Sequence, residues 1–170
     1  MESERRAALE SRRHMAQRRL ARQEWSRDFR QLAPALCKAG VRFAKLVPQV
    51  TTRLLGTMTD APGQDERFSW EQIEGGQRHA YATIAERDAF LARALADCAL
   101  PASRVAVIFH PASAGVRLAA ADIPQHAPLL FDIAPQLWLI DGQGGQWLIE
   151  IDRFDQEVCW SRTMPGTAAA

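Results

Sequence analysis

The C-terminal part of the chain carries the sequence pattern that most limits the possible fold. Apolar and polar residues alternate through three short stretches, 136–141, 147–152 and 157–162, and a period of two is typical of strands with one buried face. The stretches are joined by short runs that contain "GQGG" and "FDQ", and strands this close in sequence pair antiparallel. We therefore predict a three-stranded antiparallel meander at the C-terminal end.

The segment before the meander contains one clear helix and one clear strand. Thr83 and Glu86 stand three residues apart at the start of an apolar helical face, which is the pattern of a capping box. The stretch "RVAVIFH", residues 104–110, is β-branched and apolar, as in a buried strand. These elements predict an α+β fold with a small, mainly antiparallel sheet, helices on one face and an N-terminal helical arm.

Charge divides the chain into two unequal parts. Residues 1–56 hold 13 basic and 5 acidic side chains, a net charge of +8, whereas residues 57–170 hold 8 basic and 15 acidic ones, a net charge of −7. Residues 57–66 are rich in Thr, Asp, Pro and Gly, as loops are. We predict a basic helical arm at 1–56, a linker at 57–66, an acidic α+β body at 67–164 and a disordered tail at 165–170.

Within the arm, helical spacing continues for most of its length. Trp25, Leu32 and Leu36 share one face of a helix, so the second half of the arm can pack on another surface. Residues 41–55 are expected to form a further helical piece that Pro48 kinks or splits. This interpretation places all the strands in the body.

Composition argues against several classes of protein. The three cysteines are spaced about 60 residues apart without a CxxC pair, so neither a disulfide framework nor a zinc site is expected. The charged N-terminus differs from a secretory signal, and no segment approaches the ~20 apolar residues of a membrane span. We expect a cytoplasmic protein, of bacterial type by its Ala and Arg usage, that has no cofactor or metal and does not enter a membrane.

Three carboxylates near the first turn of the meander raise the question of catalysis. Asp141 ends one predicted strand, and Glu150 and Asp152 stand in the next. This arrangement resembles the hairpin of the PD-(D/E)xK nucleases, and the resemblance implies a divalent metal held by Asp141 and Glu150 that activates water. Those enzymes carry a lysine where this chain has Asp152. Because Glu150 and Asp152 alternate with Ile149 and Ile151, we expect both carboxylates on a solvated face, with no metal bound.

The body also resembles a class of inhibitors. Its order of a helix, a buried strand, a short helix near "DIPQHAPLLFDI" and the run "PQLWLIDGQGGQWLIEID" is similar to small bacterial immunity proteins, which neutralise toxins. The resemblance implies stoichiometric blockade of a basic partner toxin, with no reaction catalysed. An acidic surface with tryptophans suits such a partner. The predicted partner-binding residues are Trp138, Asp141, Glu150, Asp152, Asp155 and Glu157.

The arm supports an alternative from another class. Its arginines could neutralise phosphates, which would make the chain a nucleic-acid-associated regulatory protein. The candidate nucleic-acid-binding residues are Arg12, Arg13, Arg18, Arg19 and Arg22. The sequence leaves open the identity of the partner, the oligomeric state, the order of residues 1–22 and any chemical role of His110, which closes the apolar stretch 104–110.

Overall fold

The described residues of the computed structural model form one antiparallel sheet of seven strands. They are residues 30–56, 68, 70–100, 102–109, 115–131, 133–134, 136–142, 147–153 and 155–162. The strands are β1 (Phe43–Leu46), β2 (Gln77–Ala80), β3 (Arg104–Ile108), β4 (Gly115–Ala119), β5 (Gln136–Asp141), β6 (Leu148–Asp152) and β7 (Glu157–Ser161). Their order across the sheet is β1-β4-β3-β5-β6-β7-β2. The predicted α+β class and the C-terminal meander of β5, β6 and β7 are confirmed.

Helices pack on both sides of this sheet. They are α1 (residues 30–38), α2 (Pro48–Gly56), α3 (Ile84–Cys98), α4 (Asp122–Gln125) and α5 (Ala127–Phe131). The predicted capping box of α3 is present, because Thr83 Oγ1 accepts from Glu86 N–H at 3.2 Å and the Glu86 carboxylate accepts from Thr83 N–H at 3.2 Å. None of the helices in the described ranges is long and apolar enough to cross a membrane.

The sheet has two buried faces because successive side chains of a strand point to opposite sides. The first face carries side chains such as Val107 and Leu139 and is covered by α1, α3, α4 and α5. The second face has a smaller core that includes Ala106, Ile108, Trp138, Ile140 and Leu148. Leu54 and Leu55 of α2 pack over this second face together with Phe68 and Trp70. The sequence pattern predicted helices on one face of the sheet only, and it did not predict that α2 and the segment around Trp70 cover the other face.

Residues 30–56 are built into the sheet and the core. The helix predicted over 41–55 is wrong before Pro48, where β1 pairs with β4 in the register Phe43↔Leu118 to Leu46↔Gly115, and is confirmed from Pro48 onward by α2. Gly40, with φ of 74°, adopts the left-handed conformation that commonly follows the last turn of a helix and redirects the chain. Pro48 begins α2, where its missing N–H costs nothing. The predicted linker at 57–66 and tail at 165–170 lie outside the described residues.

Candidate functional site

Glu150 and Asp152 of the meander lie on the second face, in a part of it that is buried. Glu150 is 0% exposed and Asp152 is 4% exposed, so the prediction that they line a solvated face is wrong. Glu150 pairs in register with Trp138 and Cys159, which both belong to the core of the second face. The error has a physical cause: Trp70, which covers this position, lies 80 residues earlier in the chain, where strand alternation cannot reveal it.

Glu150 is held by side-chain N–H groups from two parts of the chain. Gln136 Nε2 donates to Oε1 at 2.7 Å and Trp138 Nε1 donates to the same oxygen at 3.0 Å. Trp70 Nε1 donates to Oε2. A carboxylate in the interior requires such donors, because burying an unpaired charge costs several kcal/mol. Glu150 therefore ties the segment around Trp70 to the centre of the sheet.

Asp141 and Glu150 do not form the metal-binding pair that the nuclease resemblance implies. Asp141 follows Ile140 in β5, so its side chain lies on the first face, whereas Glu150 lies on the second. Within the described ranges, no group of three or more His, Cys, Asp or Glu side chains is placed to hold a metal ion. The two carboxylates named by the nuclease hypothesis are thus separated by the sheet itself.

The end of the sheet at which β6 turns into β7 gathers Tyr81 and several charged side chains. The Asp155 N–H donates to Asp152 Oδ1 at 3.1 Å within the turn. Tyr81 lies beside this turn, since its N–H donates to the carbonyl of Gln156 at 2.8 Å and its hydroxyl donates to the backbone carbonyl of Asp152 at 3.2 Å. We call this region the tyrosine end and define it by Tyr81, Asp88, Asp152, Asp155 and Glu157.

Two arginines support the tyrosine end. The Arg87 guanidinium is buried, donates twice to Asp88 Oδ1 at 2.9 and 2.8 Å, and lies 4.8 Å from the centre of the Phe131 ring. Arg153 donates to the Phe131 carbonyl at 3.1 Å. Burial raises the pKa of Tyr81 above 10.0, and the nearby charges of Arg87 and Arg153 oppose this rise. The Tyr81 hydroxyl therefore keeps its proton at neutral pH and remains a hydrogen-bond donor.

The structure separates the residues that the sequence predicts to contact a partner. Trp138 and Glu150 are buried beneath the residues that cover the second face. Asp141 and Asp152 lie at opposite ends of the sheet, because Asp152 pairs with Gln136, at the other end of β5. The other three residues, Asp152, Asp155 and Glu157, meet at the tyrosine end.

Sequence reasoning missed Tyr81. It is the chain's single tyrosine and stands two residues before the capping Thr83, which are the signals that could have drawn attention to it. Its hydroxyl contact lies 71 residues away, so the sequence alone could not reveal its surroundings.

The other predicted residues are not tested by this geometry. His110 and the arm arginines Arg12, Arg13, Arg18, Arg19 and Arg22 lie outside the described residues. Comparison of the chain with protein-family models, curated proteins and solved structures finds no match. A function must therefore be argued from the tyrosine end and from the distribution of charge.

Proposed function

We propose that the chain is a protein-binding module that blocks a basic partner by stoichiometric binding, as a bacterial immunity protein blocks a toxin. The observation that carries the proposal is the tyrosine end, where the part-buried Tyr81 lies beside the turn that holds Asp152 and Asp155. Asp155 is exposed and Asp88 is partly exposed. Asp88 is already paired with Arg87, so Asp155 would be the main attraction for a basic surface, and Tyr81 would provide an aromatic contact.

The chemistry of this end is typical of protein interfaces. Tyrosine and arginine are over-represented among the residues that contribute most to binding, because they combine a large apolar area with polar groups. Tyr81 has little freedom to lose on binding, since its hydroxyl and its backbone are both hydrogen-bonded to the β6–β7 region. Exposed carboxylates around such an anchor speed the encounter with a basic partner more than they tighten the complex.

The test is affinity capture with the full chain from the cells that produce it. Asp155→Lys reverses an exposed charge at the tyrosine end, and Tyr81→Ala removes the aromatic anchor. Glu74→Lys is the matched control. Glu74 is also exposed, but it lies just before β2, and only the other end of this strand reaches the tyrosine end, where Ala80 pairs with Glu157. Wild type and Glu74→Lys should capture the same basic protein, and the two tyrosine-end variants should not. Equal capture by all four chains would contradict the proposal.

A second candidate is a nucleic-acid-associated protein that uses the basic arm. It is favoured by the seven arginines between positions 5 and 22, which could release counterions from a phosphate backbone. Replacing Arg12, Arg13, Arg18, Arg19 and Arg22 by Gln should then abolish a salt-sensitive affinity for an oligonucleotide. Retention of the full affinity would remove this candidate.

A further inference from the structure

Three arginines that are far apart in the sequence meet on the second face of the sheet, at the end opposite the tyrosine end. Arg117 pairs in register with Ala106, which belongs to the core of the second face, so both side chains point to that face. Arg104 precedes Ala106 by two residues in β3 and shares its orientation. Arg42 immediately precedes β1, and extending the β1–β4 register by one residue places it beside Ala119.

The topology sets these side chains close together. Ala119 of β4 lies between them: Arg104 of β3 pairs with it on one side, and Arg42, just before β1, lies beside it on the other side. Since neighbouring strands are about 4.8 Å apart, Arg42 and Arg104 start roughly 10 Å from each other. Arg117 lies two residues along β4 from Ala119, which is roughly 7 Å. We call Arg42, Arg104 and Arg117 the arginine patch.

The charges of the arginine patch are not neutralised within the described part of the chain. Arg42 and Arg104 are exposed and Arg117 is partly buried, and no described carboxylate forms an ion pair with any of them. Nε of Arg117 is buried and has no hydrogen-bond partner among the residues that the structure describes. Like charges at this spacing repel one another, and an anion bound between them would relieve that repulsion.

Small residues surround Arg117 on the second face. Ala44, Ala106 and Ala119 flank Arg117 along and across the strands. At Gly142, a Cβ atom would collide with the Arg104 carbonyl and would come within 3.2 Å of Arg117 Nε. The absence of a side chain there lets Arg117 lie against the sheet. Arg117 therefore lies low on the sheet and is more buried than Arg42 and Arg104, which are exposed.

We propose that the arginine patch binds phosphate groups, which could belong to a nucleic-acid backbone or to a small phosphorylated ligand. The planar guanidinium fork matches the geometry of phosphate oxygens and stays charged at all physiological pH values. The proposal goes beyond the protein-binding function and does not depend on it, because the tyrosine end lies at the other end of the sheet. It is also separate from the arginines at positions 5–22 that favour the nucleic-acid candidate, since none of its three arginines precedes residue 30.

The experiment uses the full chain with Arg12, Arg13, Arg18, Arg19 and Arg22 replaced by Gln, so that these five arginines cannot account for binding. In this background the double variant Arg42→Gln/Arg104→Gln tests the patch. Arg93→Gln is the matched control, because Arg93 is an exposed arginine on α3, the helix that covers the first face. Circular dichroism and the melting temperature check that each variant is folded, which is expected because all three substituted side chains are exposed.

The first probe is a fluorescent single-stranded oligonucleotide titrated over a range of salt concentrations. The double variant should bind at least tenfold more weakly, and the slope of log affinity against log salt should fall by about 1 to 2 in magnitude. Arg93→Gln should bind like its background. The second probe is inorganic pyrophosphate, followed by calorimetry.

The outcomes of these titrations show whether the arginine patch binds phosphate and which kind of ligand carries it. Patch-dependent binding of the oligonucleotide assigns the phosphates to a nucleic acid. Patch-dependent binding of pyrophosphate alone assigns them to a small phosphorylated ligand. If neither probe distinguishes the double variant from Arg93→Gln, the proposal is overturned, and the protein-binding function is unaffected.

Discussion

At the scale of single residues, Glu150 shows how this fold keeps a carboxylate in its interior. Its two oxygens accept from Gln136, Trp138 and Trp70, so the side chain connects β5, β6 and the segment before β2. Hydrogen bonds to a charged group are stronger than neutral ones, and leaving one partner unsatisfied in the interior is costly. Glu150 therefore contributes to stability rather than to a solvated binding surface.

This role predicts that Glu150→Gln destabilises the protein by about 1–3 kcal/mol, because an amide group would place N–H donors against the N–H groups of the present partners. Urea unfolding monitored by fluorescence measures the change. Glu74→Gln, at an exposed site, is the control and should have almost no effect. Equal stability of Glu150→Gln and wild type would restore the interpretation that Glu150 lies on a solvated face.

Cys98 predicts a pH dependence. Burial, and then the neighbouring Asp97 carboxylate, raise the pKa of this thiol from 9.0 to about 12. The folded protein thus keeps the proton while the unfolded chain loses it, so stability from this group is complete below pH 9 and is lost as the pH rises from 9 to about 12. Unfolding measurements between pH 7 and 11 should show a steeper alkaline loss for wild type than for Cys98→Ala. Parallel profiles would show that the thiol does not contribute.

At the scale of elements, the meander was predictable and the edge strands were not. β5, β6 and β7 have alternating or continuous apolar residues that are typical of strands in a buried sheet. β1, "FAKL", and β2, "QRHA", are four residues long and mostly exposed, and they are strands because β4 and β7 offer them a free edge. His79 of β2 also stacks between Phe90 and Trp160, with ring centres 4.8 Å from each, which fixes the strand through contacts distant in sequence.

The meander predicts a large effect of Trp147→Ala. Trp147 is 6% exposed and belongs to the core of the first face. Loss of the side chain should cost about 3–5 kcal/mol of unfolding free energy. Leu100→Ala, at a residue that is 75% exposed, should change stability little. A cost for Trp147→Ala below about 1 kcal/mol would move Trp147 out of the core.

At the scale of the whole molecule, the topology brings together residues that no sequence pattern connects. Asp155 and Glu157 were predicted to contact a partner, but Tyr81 joins them only because β2 pairs with β7. Arg42, Arg104 and Arg117 meet only because β4 lies between β1 and β3. Strand order depends on long-range pairing. For this reason the fold class could be predicted from the sequence, whereas neither the tyrosine end nor the arginine patch could.

The same topology predicts the result of truncation. A chain that begins near residue 60 lacks α1, β1 and α2, so it leaves the edge of β4 unpaired and uncovers part of both cores. We expect it to aggregate or to lose its near-ultraviolet circular dichroism. A chain that begins at residue 30 keeps α1, β1 and α2 and is the matched control. A folded, soluble chain from residue 60 would show that residues 30–56 are an accessory after all.

The most direct test of the protein-binding function is a titration of the captured partner with the purified full chain. Calorimetry should give one partner molecule per chain, and Tyr81→Ala should speed dissociation, because an anchor at the centre of an interface acts mainly on the lifetime of the complex. Asp155→Lys should slow association, and added salt should reduce this difference, because charges beyond about 8–10 Å are screened. A fixed stoichiometry with both effects is the predicted result. Binding rates unchanged in both variants, or capture of nucleic acid without any protein, would contradict the proposed function.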